Sequence, residues 1–242
     1  MDQLGRGNQS PGQRHHLYFA GTPVSVLAIG SMFSALEVVP LALVGFEAFE
    51  NWRHTKAAPW VKLYKWPIMF FVAVAFWNLL GAGVFGFMIN PPLSLYYIQG
   101  LNTTATHAHA ALFGVYGMLG IGLLLFCFRS LARREAWSDK LLAWTFWLLN
   151  GGLAMMLFMS LLPVGVVQAF ASIEHGMWYA RSPAVIHSPL VQTLVWMRVP
   201  GDVVFGAGAF TLAIFAARLV IGGLKPRPVA EPAPEPAVLP AE

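Results

Sequence analysis

Five apolar runs, each long enough to cross a bilayer, constrain this chain more than any other feature. They occupy Val24 to Glu50, Pro67 to Ile89, Thr104 to Phe128, Leu141 to Ala171 and Leu190 to Leu224. A spanning helix needs about 20 predominantly apolar residues. Lipid offers no partner for backbone N–H and C=O groups, so each run is predicted to be a helix. Charged residues make up only 11% of the 242, well under the roughly 25% of soluble domains, which excludes a water-soluble fold. The predicted class is therefore an all-α integral membrane protein with five transmembrane helices. The last two runs exceed what a bilayer requires, and Pro163 and Pro200 interrupt them, so both are predicted to kink or to begin in the interface.

The flanks read differently. Residues 1–22 form a polar N-terminal segment without the apolar core of a signal peptide. Residues 23–224 form the membrane domain, and 225–242 are a Pro/Ala/Glu-rich tail predicted to be disordered. No internal repeat and no second, soluble domain is found.

Lysine and arginine orient the bundle. Arg53, Lys56, Lys62 and Lys65 fill one connection, Arg129, Arg133, Arg134 and Lys140 another, and Lys225 and Arg227 begin the tail; these are predicted cytoplasmic. The connection 90–102 has no Lys or Arg, and 172–189 has only Arg181, so both are predicted to lie outside. The net charge of +4 thus reflects topology and gives no reason to invoke nucleic acid. The single cysteine, Cys127, excludes a disulfide framework within the chain.

Against this background the stretch THAHAALFG, residues 106–114, stands out, because it sets His107 and His109 two positions apart on the third span. Helical positions i and i+2 point about 200° apart, so the imidazoles meet different neighbours. One reading is a hydrogen bond from each to a neighbouring carbonyl or hydroxyl. The other is a porphyrin on each face, each iron taking one imidazole nitrogen, with Ala105, Ala108, Ala110, Ala111 and Gly114 leaving room on both sides. The adjacent pair His15 and His16 precedes the first span on the same outer side; alone, it reads as solvated. His54, His175 and His187 lie in connections and read as surface residues. Glu37 stands midway along the first span, where a carboxylate is costly. It reads either as a structural hydrogen bond or as a proton relay or metal-proximal group. Asn78 and Asn150 are predicted to hydrogen-bond between helices, and Trp52, Trp60, Trp66, Tyr96 and Tyr97 to sit in interfacial belts.

The order HHLYFAGTP, GSMFSALEVVPL, GAGVFGFM and THAHAALFGVYGM resembles the C-terminal half of the catalytic subunit of bacterial nitric oxide reductases, in the heme-copper oxidase superfamily. WYARS (178–182) and WMRVPGDVVFGAGA (196–209) resemble its quinol-dependent (single-subunit) branch. The resemblance covers His15 to Leu224 and implies a partial heme-copper-oxidase-type bundle in a bacterial inner membrane. It implies that His107 binds the high-spin heme b3, that His109 is one axial ligand of the low-spin heme b, and that His15 and His16 are two of three histidines on a non-heme iron. Glu37 matches a carboxylate near that iron. The implied chemistry is reduction of two nitric oxide molecules to nitrous oxide and water with electrons from quinol, in contact with membrane lipid.

Family members carry roughly six or seven spans before this region, with the third iron histidine and the second axial ligand of heme b. The expectation is thus a truncated chain, inactive alone, completed by missing N-terminal helices or by a partner chain that supplies them. Two alternatives stand beside it: a fragment of an oxygen-reducing terminal oxidase, which would hold copper, and a non-catalytic heme-binding membrane relic.

Overall fold

The computed structural model of the chain describes residues 23–133 and 135–223. Five helices among them are long and apolar enough to cross a membrane: span 1 (Val24–Thr55), span 2 (Lys65–Ile89), span 3 (Asn102–Leu131), span 4 (Asp139–His175) and span 5 (Pro189–Ile221). All five predicted runs are there. Most extend past the apolar stretch by a few residues, because the helix continues into the polar interface until a cap or turn ends it. The Ser138 and Ser188 hydroxyls cap spans 4 and 5 by accepting from Leu141 N and Val191 N. The vicinal histidines His15 and His16 lie outside the described residues.

Prolines decide where the spans are interrupted. A proline ring clashes with the carbonyl four residues earlier and donates no hydrogen bond. Span 1 accordingly consists of two helices, Val24–Leu36 and Val38–Thr55, parted at Glu37, three residues before Pro40. Span 5 is parted at Met197, three residues before Pro200. Span 4 stays continuous but widens into a π-helical stretch, Met156–Leu161, just ahead of Pro163. The break expected near Pro200 is found, span 4 passes Pro163 with a widened turn and no break, and the same mechanism places a further break at the only acidic residue of the mid-span region of span 1.

Span 4 is the hub: 44% of its apolar window is buried, against 17% for spans 1 and 5. Phe70, Trp77, Met118, Leu142, Leu153 and Leu157 form the fully buried centre where spans 2, 3 and 4 meet. Lipid tails are as apolar as leucine, so the helices are drawn together by close packing and polar links. Spans 4 and 5 approach through glycines. A methyl group added at Gly201 would stand 2.7 Å from Met156 N, one at Gly208 2.8 Å from Leu149 N, and one at Gly152 would strike the Phe205 backbone. The Trp77 indole donates to Asn150 Oδ1 at 2.7 Å, tying span 2 to span 4, as expected of Asn150. Thr145 and Thr211 share a 2.9 Å hydroxyl bond between spans 4 and 5.

The basic connections gather at one end. Arg129 Nε donates to Leu63 O at 2.8 Å and its guanidinium stacks 4.8 Å from the Trp137 ring, locking the span 1–2 connection to the end of span 3. Trp52, Trp60 and Tyr96 are exposed, as belt residues should be. Trp66 departs from the expectation: it is 6% exposed and packs on Phe146, because it faces span 4 instead of lipid. His54, His175 and His187 are exposed, as read from their connections.

Candidate functional site

The non-basic end of span 3 is pinned before its histidines are reached. Asn102 N donates to Gln168 Oε1 at 3.0 Å and Thr106 Oγ1 to Asn102 O at 2.9 Å. A methyl group at Gly165 would stand 2.5 Å from Thr103 N, so spans 3 and 4 touch backbone to backbone there. From this anchored turn His107 and His109 project to different neighbours. His107 faces span 2, where its Nδ1 donates to Gly81 O at 2.8 Å. His109 keeps its Nδ1 on its own helix, donating to Ala105 O at 2.8 Å, while its ring meets Phe113 and span 5.

A carbonyl can only accept, so each of these bonds puts the proton on Nδ1. In the neutral ring Nε2 then keeps its lone pair. That is the tautomer a metal-ligating imidazole needs, and a carbonyl behind Nδ1 is the usual way of fixing it. Gly81 sits in a π-helical stretch, Asn78–Phe85, facing a second one in span 3, Ala110–Gly117. Such wide turns concentrate at functional sites. A methyl group at Gly81 would stand 2.7 Å from Ala110 Cβ, so the carbonyl reaches His107 only because both residues are small.

His107 also lines a cleft of about 510 Å³ between spans 1, 2 and 3, together with Glu37, Asn78, Ala82, Ala111 and Tyr116. The structure therefore brings Glu37 and His107 to one cleft, 70 residues apart in sequence, and leaves His109 on the other face of span 3. Glu37 is half-buried at the break made by Pro40. Asn78 differs from its expectation: among the described residues its side chain makes no hydrogen bond, and it lines the cleft instead. Among the described residues no three His, Cys, Asp or Glu side chains converge as a metal site.

The small residues of span 3 do less to leave space than their size suggests. Ala110 is fully buried against Gly81, and the Trp77 ring fills the place a side chain at Gly114 would take. Only Ala111 of the five opens onto the cleft. On the other face, Phe113 lies 5.7 Å from Phe205, and Arg198 Nη2 stands 3.2 Å from His109 Nε2.

Residues 9–204 match the family model described as Cytochrome C and Quinol oxidase polypeptide I. The chain belongs to this family. As a member of it, the chain is also 33% identical over 179 residues to a nitric oxide reductase subunit of Stutzerimonas stutzeri, an alignment taking in 72% of the chain and 35% of that protein. It thus spans about a third of the length of this curated relative. The kinship read from the HHLYF, SALEV and THAHA motifs is borne out at the level of the oxidase family and of similarity to this reductase. The five spans make this oxidase-family chain a multi-pass membrane protein.

Within the matched region lie two polar residues whose place at the site the sequence reading missed. Arg198 and Asp202 form an i,i+4 pair, Nε to Oδ1 at 3.1 Å, at the start of the second helix of span 5. The signal was present: two opposite charges four apart within an apolar run, on either side of a proline and just after a tryptophan. What it lacked was any hint that span 5 turns this pair toward span 3.

Proposed function

We propose that this chain contributes the heme-ligating helix and part of the dinuclear cleft of a nitric oxide reductase in a bacterial inner membrane. His107 serves as the ligand of the high-spin heme b3, His109 as one axial ligand of the low-spin heme b, and His15 and His16 as two ligands of a non-heme iron, with Glu37 beside it. The observation that carries this reading is the His107 imidazole: its Nδ1 proton is held by Gly81 O at 2.8 Å, and the ring lines the same cleft as Glu37. The residues fit an iron porphyrin in their donor chemistry, since in the neutral form each ring carries its lone pair on Nε2, unengaged at His107 among the described residues and met by Arg198 at His109.

When bound, the hemes and iron would relay the electrons and supply the sites that hold nitric oxide. The chain's own residues do the rest. The Gly81 carbonyl keeps His107 in one tautomer and one orientation. Glu37, at a break in its helix and in an open cleft, is placed to hold and pass a proton at its carboxylate oxygens toward the reduced substrate. Ala111 and Ala82 keep that cleft wide enough for small diatomic molecules. Reduction of two nitric oxide molecules takes up two protons and two electrons, the electrons coming from quinol in the surrounding lipid. The remaining spans of the reductase, or a partner chain, complete the ligand set.

The reading is tested by isolating the chain with whatever co-purifies from its native membrane. Heme, iron and copper content are then measured alongside nitric oxide consumption, for the wild type and His107→Ala. The expected result is iron without copper, nitric oxide consumption, and loss of the high-spin heme signal in His107→Ala. Copper in place of iron with oxygen consumption overturns the reading in favour of an oxygen-reducing oxidase. An unchanged heme signal in the variant overturns the ligand role of His107.

A further inference from the structure

The two imidazoles of span 3 differ in what meets Nε2. For His109 that nitrogen is already engaged. Arg198 Nη2 lies 3.2 Å from it, and an arginine has no acceptor, so the guanidinium donates and the ring nitrogen accepts. The same guanidinium donates through Nε to Asp202 Oδ1 at 3.1 Å. With Nδ1 giving its proton to Ala105 O, the His109 ring is held at both nitrogens, from its own helix and from span 5. His107 is tied at Nδ1 only, among the described residues.

An imidazole nitrogen has one in-plane lone pair. A hydrogen bond from Arg198 and a bond to a metal are therefore mutually exclusive at His109 Nε2. We propose that Arg198 is a displaceable latch on His109, closing its lone pair by hydrogen bonding and giving it up when a heme iron takes that nitrogen. The proposal rests on the reading of His109 as a heme ligand for what opens the latch, while the closed state rests on the Arg198 contact alone.

Two features make the arginine able to leave. It keeps Asp202 as a charge partner after release, so no lone cation is left behind. The Arg198 and Asp202 side chains are 37% and 46% exposed, so the guanidinium has solvent or headgroups to turn to. The latch is also built across two spans: Arg198 follows the break at Met197, so its engagement couples the start of the Arg198–Arg218 helix to the heme-ligating turn of span 3. Arg198 is a positioning residue in this scheme, acting through His109.

The full chain in detergent, as wild type, Arg198→Ala, Asp202→Asn and His109→Ala, is given two measurements. The first is the rate at which diethyl pyrocarbonate acylates His107 and His109, read by peptide mass spectrometry; acylation needs the free lone pair. The second is a hemin titration followed by absorbance. Arg198→Ala is expected to speed acylation at His109 by about tenfold, the equivalent of one charge-assisted hydrogen bond, with His107 unchanged. Hemin affinity rises by a similar factor, a gain that His109→Ala in the same background removes. Asp202→Asn, which removes the partner that the released guanidinium keeps, shifts both in the opposite direction by less. An unchanged acylation rate at His109 in Arg198→Ala overturns the latch, and so does weaker hemin binding, which would make the arginine a support of the bound ligand. A faster acylation rate with hemin binding indifferent to His109→Ala overturns the heme-ligand reading while leaving the closed lone pair established.

Discussion

At the scale of single residues, the site depends on a few atoms that hold imidazoles and a carboxylate in place. Gly81 is the most exacting of them. Even a methyl group there meets Ala110 Cβ at 2.7 Å and the Ala110 backbone at 2.9 Å, so Gly81→Ala must push spans 2 and 3 apart and draw the carbonyl away from His107. The expected cost is about 1–3 kcal/mol of stability, read as a lower melting temperature in detergent. Glu37 is expected to matter for turnover and not for assembly. If the chain belongs to a nitric oxide reductase as proposed, Glu37→Ala in the assembled protein should lower nitric oxide reduction by about 10²-fold or more with heme content unchanged; near-normal rates would return the residue to a structural role. That the two histidines face different partners was legible in sequence, because 100° per residue fixes it. That one of them meets Arg198 was not, because 89 residues separate the pair.

At the scale of elements, prolines and glycines write the geometry. Pro40 parts span 1 at Glu37, so Pro40→Ala restores a backbone donor to the helix and should mend the break. Hydrogen exchange at Glu37 to Leu41 is expected to slow in that variant; an unchanged rate would mean that something other than the proline holds the helix open. Gly151 and Gly152 give a sharper test. A methyl group at Gly152 strikes the Phe205 backbone, which has no room to yield, whereas one at Gly151 meets nothing within 4 Å. Gly152→Ala should therefore destabilise the chain by about 1–3 kcal/mol, while Gly151→Ala should be neutral or stabilising by up to about 1 kcal/mol through helix propensity. Thermal unfolding in detergent compares the two directly. Adjacent, identical in type and both helical, these glycines cannot be told apart in sequence.

At the scale of the whole molecule, the two basic connections among the described residues lie at one end of the five spans, and the positive-inside tendency predicts that this end faces the cytoplasm. In a Cys127→Ser background, Ser94→Cys is expected to label from outside intact cells and Thr55→Cys only after permeabilisation; the reverse pattern would invert the bundle and the placement of the histidines with it. The number of spans, their ends to within a few residues, the break ahead of Pro200 and the divergence of His107 from His109 are properties of local sequence: length, charge, proline chemistry and helical periodicity are enough. Which faces pack is another matter. In a membrane both lipid and protein core are apolar, so hydrophobicity loses the one-sidedness that marks a buried face in water. Hence Trp66 read as a belt residue and is core, Ala110 and Gly114 read as free space and are close contacts, and Asn78 read as a helix-to-helix link and lines a cleft. The meeting of Glu37 with His107, and of Arg198 with His109, depends on how whole helices lie against one another, and only the packed bundle decides it.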